Sequence, residues 1–135
     1  MNIKELESLA GKLKSISTDA SNLHLSVQFC EQLVSRGLII PLLEVIQRIS
    51  RDPKTMAPLP ENDPEAIIMA DTALMLLYDC FAITELILLE QGWKAVRAGD
   101  VAGSAIYKHA VSGHEAEYPP TSSWQLRLLL YAHYF

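Results

Sequence analysis

DPEAIIMADTALMLLYDCFAITELILLEQG, residues 63–92, is the stretch whose reading decides the fold of this chain. Asp63 stands where a helix wants an N-cap, and Pro64 fills the first helical position, where a missing N–H costs nothing. Glu65 places a carboxylate in the first turn. From Glu65 to Gln91 there is neither proline nor glycine, and Gly92 supplies the stop. Advancing about 100° per residue, Asp71, Thr72, Met75, Tyr78, Asp79 and Ala82 share about 120° of arc, with Leu74, Leu77, Cys80 and Phe81 outside it. The segment is therefore a mostly buried helix with a narrow, acidic exposed strip. Thr84, a capping residue, predicts a bend or break near residues 82–84.

Upstream, residues 52–64 hold four of the chain's seven prolines, a density that predicts an extended surface loop. Before it, Ile3, Leu6, Leu9, Ala10, Leu13 and Ile16 recur at helical spacing over residues 3–17. Ser17, Thr18 and Asp19 break that helix. A second helix runs through Leu23, Val27, Cys30, Leu33 and Val34 and ends on Gly37, which is expected in a left-handed conformation. Pro41 opens a third, whose buried face is Leu42, Leu43, Val45, Ile46 and Ile49, with Arg48 and Arg51 near its C-terminal end.

Downstream, Trp93–Ala98 is expected as a short helical piece stopped by Gly99, with Asp100 capping a further helix that contains Ala102, Gly103, Ser104 and Ala105. Gly113, Pro119 and Pro120 mark a loop over 112–121. Ser122 and Gln125 have capping-box spacing ahead of an apolar last helix, Trp124 to Tyr134, whose one formal charge is Arg127. No stretch shows sustained two-residue alternation between hairpin turns. The expected fold is all-α: one domain over residues 1–135, with about six or seven helices.

Leu33-Val34-Ser35-Arg36-Gly37-Leu38-Ile39-Ile40-Pro41-Leu42-Leu43 resembles the turn between the first two helices of an armadillo-type repeat, and Leu88 to Val96 around Gly92 is similar. Ala66 to Leu77 looks like the third helix of such a unit. The resemblance covers roughly residues 24–112, with the proline loop as an insertion, because 55 positions separate the two glycines and such repeats run about 40–47 residues. It implies armadillo/HEAT-like stacked helices and a binding scaffold. A generic orthogonal helical bundle fits the residues as well.

The 135 residues carry 11 Lys/Arg and 16 Asp/Glu, a net charge of −5. Between Lys54 and Lys94 there is no cation, while Glu61, Asp63, Glu65, Asp71, Asp79, Glu85 and Glu90 contribute seven negative charges. Such a block favours a basic partner and disfavours nucleic acid and anionic membranes. An ordinary solvated helix face mixes signs to gain i,i+4 pairs, and this one does not. The charged N-terminus lacks the pattern of a signal peptide. The longest run without a charged side chain between Asp71 and Asp79 is seven residues, short of the about 20 that a membrane span needs. A soluble, cytoplasmic protein is expected.

Cys30 and Cys80 sit in apolar helical patterns and read as buried free thiols. No phosphate-cradling glycine loop, His-Glu-x-x-His, Gly-x-Ser-x-Gly or Cys-x-x-Cys occurs. His109, His114, Glu115 and Glu117 come nearest to a metal or acid–base set, but they fall in a Gly/Pro loop that gives them no rigid frame. His24 and His133 read as partly buried helical histidines. Neither an enzyme, a cofactor nor a metal is expected.

The function expected is that of a non-catalytic protein-binding module, most concretely a small acidic inhibitor of the immunity or antitoxin sort that blocks a basic toxin or enzyme. Asp71, Asp79, Glu85 and Glu90 would pair with the partner's cations, Met75 and Tyr78 would anchor it, and Glu61 and Asp63 would extend the surface. The alternative is a helical module that binds a small molecule in a pocket of Leu74, Leu77, Phe81, Trp93 and Trp124 or regulates a larger assembly. The apolar last helix also admits a homodimer.

Overall fold

A computed structural model describes residues 1–99 and 105–119, together with Gln125 and Leu128. Its elements are α1 (Ile3–Ser17), a 3-10 turn (Ala20–Asn22), α2 (Leu23–Ser35), α3 (Ile39–Gln47), α4 (Pro64–Glu90), β1 (Trp93–Ala98), β2 (Ala105–His109) and β3 (Glu115–Ala116). The fold is therefore mixed, with four α-helices and a small antiparallel sheet among the described residues, and the expectation of an all-α protein with six or seven helices is wrong.

The helical half follows its local signals. Asn2 caps α1, its side chain accepting the Glu5 N–H at 2.9 Å. Gly37 adopts φ 69°, and the Leu38 and Gly37 N–H groups return to the carbonyls of Leu33 and Val34, the two bonds of a Schellman motif. Pro41 lies in the first turn of α3. α4 starts at Pro64 with Asp63 in the N-cap position, though the Asp63 side chain makes no capping bond.

α4 then runs unbroken for 27 residues, so the break expected near residues 82–84 is absent. Thr84 is fully buried, and its hydroxyl donates to the Cys80 carbonyl four residues back, at 3.3 Å. A threonine satisfied inside its own helix has no reason to restart it. One face of α4, with Ala70, Ala73, Leu76, Leu77, Cys80 and Ile83, lies in the core against α1, α2 and α3. Leu6, Leu13, Leu33, Leu42, Val45 and Leu128 are among the buried residues packed with it. Cys30 and Cys80 are both free and fully buried. The neighbouring Cys30 thiol together with burial pushes Cys80 well above the usual thiol range. α4 is also long and apolar enough to cross a bilayer, with mean hydropathy 1.8 over 18 residues. Counting only uncharged runs misses this, because its few carboxylates are spaced along one side.

Gly92, at φ 92°, turns the chain out of α4 into β1. β1 pairs antiparallel with β2, with an irregularity between Ala95 and Arg97, and β2 pairs with β3 in the order β1-β2-β3. Trp93–Ala98 is thus a strand and not a helix, Ala105 belongs to β2, and the loop expected over 112–121 contains β3 at Glu115–Ala116. The sheet rests on the end of α4 through a second small core of Leu88, Trp93 and Tyr107, with Phe81, Ala105 and Ala116 around it. The further helix expected after Asp100 falls mainly on residues outside those described. Of the last helix, Gln125 and Leu128 are helical and buried.

Candidate functional site

All seven carboxylates of the acidic block are exposed. Because α4 does not break, its outer face is longer than the sequence suggested. At about 100° per residue, Ile68, Asp71, Met75, Tyr78, Asp79, Ala82, Glu85, Leu86, Leu89 and Glu90 fall within about 140° of arc. Five of these are large apolar side chains left more than half exposed: Ile68 at 53%, Met75 at 59%, Tyr78 at 51%, Leu86 at 51% and Leu89 at 56%. Isolated exposed apolar residues are ordinary, but a row of them along one helix face is not. Ile68, Leu86 and Leu89 were not foreseen. Carrying the same helical arc past Thr84 would have found the two leucines.

The structure thus brings Asp71, Met75, Tyr78, Asp79, Glu85 and Glu90 onto one stripe. It sets Glu61 and Asp63 apart, on the loop and the helix start, with Asp63 about 40 Å from Glu90 along the axis at about 1.5 Å per residue. Asp71 also has a cation of its own, with Arg51 Nη2 3.6 Å from its carboxylate. That arginine is held by the proline loop, which is a folded structure. The Asn62 side chain accepts the Ser50 N–H at 2.8 Å and donates to the carbonyls of Ser50 and Leu59. Asp52 accepts the N–H groups of Lys54 and Thr55, and Arg51 donates to the Met56 carbonyl at 3.1 Å.

Two clefts flank the stripe. One, of about 590 Å³, lies where Ile46, Ile49, Arg51 and Met56 face Leu74 and Tyr78. The other, of about 610 Å³, lies between Ala82, Glu85, Leu86 and Leu89 of α4 and Trp93, Lys94, Ala95 and Tyr107 of the sheet. Partial burial in this second cleft raises the Glu85 pKa. Burial, and then the nearby charge of Glu85, push the Tyr107 hydroxyl up to about 12. The alternative small-molecule pocket is not assembled as expected. Leu74 lines the first cleft, Trp93 the second, Leu77 is in the main core, and Trp124 lies outside the described residues.

The His109–Glu117 segment has a structural job. His109 Nδ1 accepts the N–H groups of Ser112 at 3.2 Å and Val111 at 3.4 Å, so its proton sits on Nε2, which faces the Gln91 carbonyl at 3.1 Å. His109 and His114 both meet Trp93 edge-on, with centroids 5.1 and 6.2 Å away. Arg97 reaches across β2 to grip Glu115 with two bonds of 2.9 and 2.8 Å. Among the described residues no group of three or more His, Cys, Asp or Glu side chains is placed to hold a metal ion.

The Arg97 hydrogen bonds hold the Glu115 carboxyl below the usual glutamate range. A depressed carboxylate pKa stabilises the fold above the ordinary glutamate value, and that stabilisation disappears as pH falls through the depressed value. A pH titration followed on the side-chain carboxyl carbons by NMR is expected to give Glu115 a lower midpoint than an unpaired glutamate. Arg97→Gln should return it to the ordinary range, and an unchanged midpoint would mean that the pair does not persist in solution.

No known family model, curated protein or solved structure matches this chain, so the geometry of the α4 face carries the functional argument by itself.

Proposed function

We propose that this protein is a non-catalytic, cytoplasmic binding module that docks the outer face of α4 onto a basic protein. Its most concrete form is a small inhibitor that covers the active surface of a toxin or enzyme. The observation that carries the proposal is the mixed stripe itself: half-exposed Met75, Tyr78, Leu86 and Leu89 interleaved with Asp79, Glu85 and Glu90. Exposed apolar side chains supply contact area, and carboxylates without cationic neighbours along the helix supply steering and register. Ala82 lies at the centre of the stripe and is exposed, so a photo-crosslinker placed there samples the docked partner directly.

The partner so captured is expected to cross-link through a surface rich in lysine and arginine. Asp79→Lys combined with Glu90→Lys should slow its association at low salt by about tenfold or more, and added salt should slow the native pair in the same way. A partner whose binding ignores both the charge reversal and the salt would remove α4 as the docking face.

A further inference from the structure

A third cleft, of about 300 Å³, opens between α1 and α2, and no residue of α4 lines it. Its apolar lining is Leu9, Ile16, Leu25, Phe29, Leu33 and Leu38, with Lys12, Gln28, Gln32 and Arg36 as the polar part. A mostly apolar hollow of this size with a few polar groups falls at the lower end of small-molecule sites. Its charge is one-sided: two cations and no carboxylate line it, in a chain of 16 acids and 11 bases. Lys12 comes from α1 and Arg36 from the end of α2, and neither forms an ion pair among the described residues. Glu5, one turn before Leu9 on the same side of α1, is engaged at the helix start, where it accepts the Asn2 side-chain amide at 3.3 Å. Leu25, 38% exposed, lies about 16 Å from Arg36 along α2 at about 1.5 Å per residue.

We infer that this cleft binds a free amphipathic anion, an unbranched acyl carboxylate whose chain lies on Phe29, Ile16 and Leu25 and whose head group pairs with Arg36 and Lys12. An extended chain gains about 1.2 Å per bond, so roughly ten carbons, with the reach of the arginine, cover the distance from Leu25 to the head group. The guanidinium fork and the ammonium supply charge-assisted hydrogen bonds to the carboxylate. Each methylene that leaves water adds up to about fourfold in affinity when fully buried. A neutral chain forgoes the head-group pairs, and a cationic one meets repulsion from Lys12 and Arg36. The site shares no residue with the α4 docking face, so the two proposals are tested independently.

The test follows NMR signals of the intact protein, with the Leu25 and Ile16 methyls and the Gln28 and Gln32 side-chain amides as reporters. Sodium decanoate, kept below its micelle concentration, should shift them saturably. Octanoate should bind at least about threefold more weakly, having lost two methylenes. Decanol and decyltrimethylammonium should bind about tenfold more weakly or worse, lacking the ion pairs. Lys12→Gln with Arg36→Gln should weaken decanoate about tenfold and leave decanol unchanged, because two partly solvated pairs are lost together. Both residues are exposed, so the double variant should keep the native melting temperature. Leu25→Glu sets a carboxylate against the chain and should abolish the decanoate shifts.

No saturable shift with decanoate, equal binding of decanoate and decanol, or indifference to the double variant would each overturn the inference. Equal affinity for octanoate and decanoate would do the same, since the chain would then lie outside the cleft. Sedimentation with phosphatidylglycerol vesicles separates a free carboxylate from a bilayer surface: no co-sedimentation is expected, and binding that requires vesicles would also overturn it. Any of these failures leaves the response of partner association to Asp79→Lys and Glu90→Lys untouched.

Discussion

Gly92→Ala is expected to destabilise the protein by about 2–4 kcal/mol, combining the cost of a left-handed alanine with loss of a hydrogen bond. Gly92 has φ 92°, and a Cβ added there would lie 2.9 Å from His109 Nε2 and 3.3 Å from its Cδ2. The ring has little freedom to retreat. Its Nε2–H donates to the Gln91 carbonyl, its Nδ1 accepts two backbone N–H groups of the turn, and its edge meets Trp93. The Ala110 N–H also returns to the Gly92 carbonyl at 2.8 Å, so the glycine, the histidine and the start of the sheet form one unit. Gly113→Ala is the natural control, having φ 71° but nothing within 4 Å of where its Cβ would sit. It should cost only the backbone strain, about 1–2 kcal/mol. Urea unfolding of both variants isolates the contact with His109 as the difference between them, and equal losses would show that the ring simply moves aside.

That unit also explains why the sheet was not visible in the sequence. Five of the six β1 residues are exposed, and only Trp93 is buried. Alternation of apolar and polar residues reports a strand with one face in a core, and β1 has no such face over most of its length. β2 carries the stronger signal, with half-buried Ile106 and buried Tyr107 ahead of exposed Lys108, but it is too short to stand out. In the helical half the opposite holds. Gly37, Pro41 and the Pro64 start each act through backbone geometry within a few residues, so local rules were sufficient. Thr84 is the exception: whether a threonine caps a new helix or bonds back into its own depends on burial, which local sequence does not state.

The candidate face was half legible for the same reason. Its acids, Met75 and Tyr78 follow from helical spacing, whereas Leu86 and Leu89 needed the knowledge that α4 continues. Asp71 could not have been assigned its Arg51 neighbour, because that pairing depends on how residues 50–62 fold back on themselves. Tyr107 and Glu85 line one cleft only because the sheet returns to the end of α4, across a turn no helical pattern predicts.

Leucines on the two sides of this architecture should behave in opposite ways. Leu128 is fully buried among α1–α4 side chains, and Leu128→Ala should cost about 2–5 kcal/mol, the range for emptying a packed leucine site. Such a loss places that part of the C-terminal segment in the core and removes it as a free dimerisation surface. Leu86→Gln with Leu89→Gln changes residues that are 51% and 56% exposed, and glutamine keeps the helical propensity of leucine. Half-burial limits the loss to about 1 kcal/mol per site at about 25 cal/mol per Å² of apolar area. The double variant should nonetheless reduce capture of the cross-linked partner severely, because it removes two of the half-exposed apolar side chains that supply contact area to the proposed interface. Denaturant unfolding and partner binding are measured on the same preparations. A double variant that binds normally would make the exposed leucines incidental, and a stable Leu128→Ala protein that loses its oligomeric state would return the last helix to the surface. The predicted pattern has the reverse signature: the core substitution lowers stability, and the outer-face substitutions lower binding.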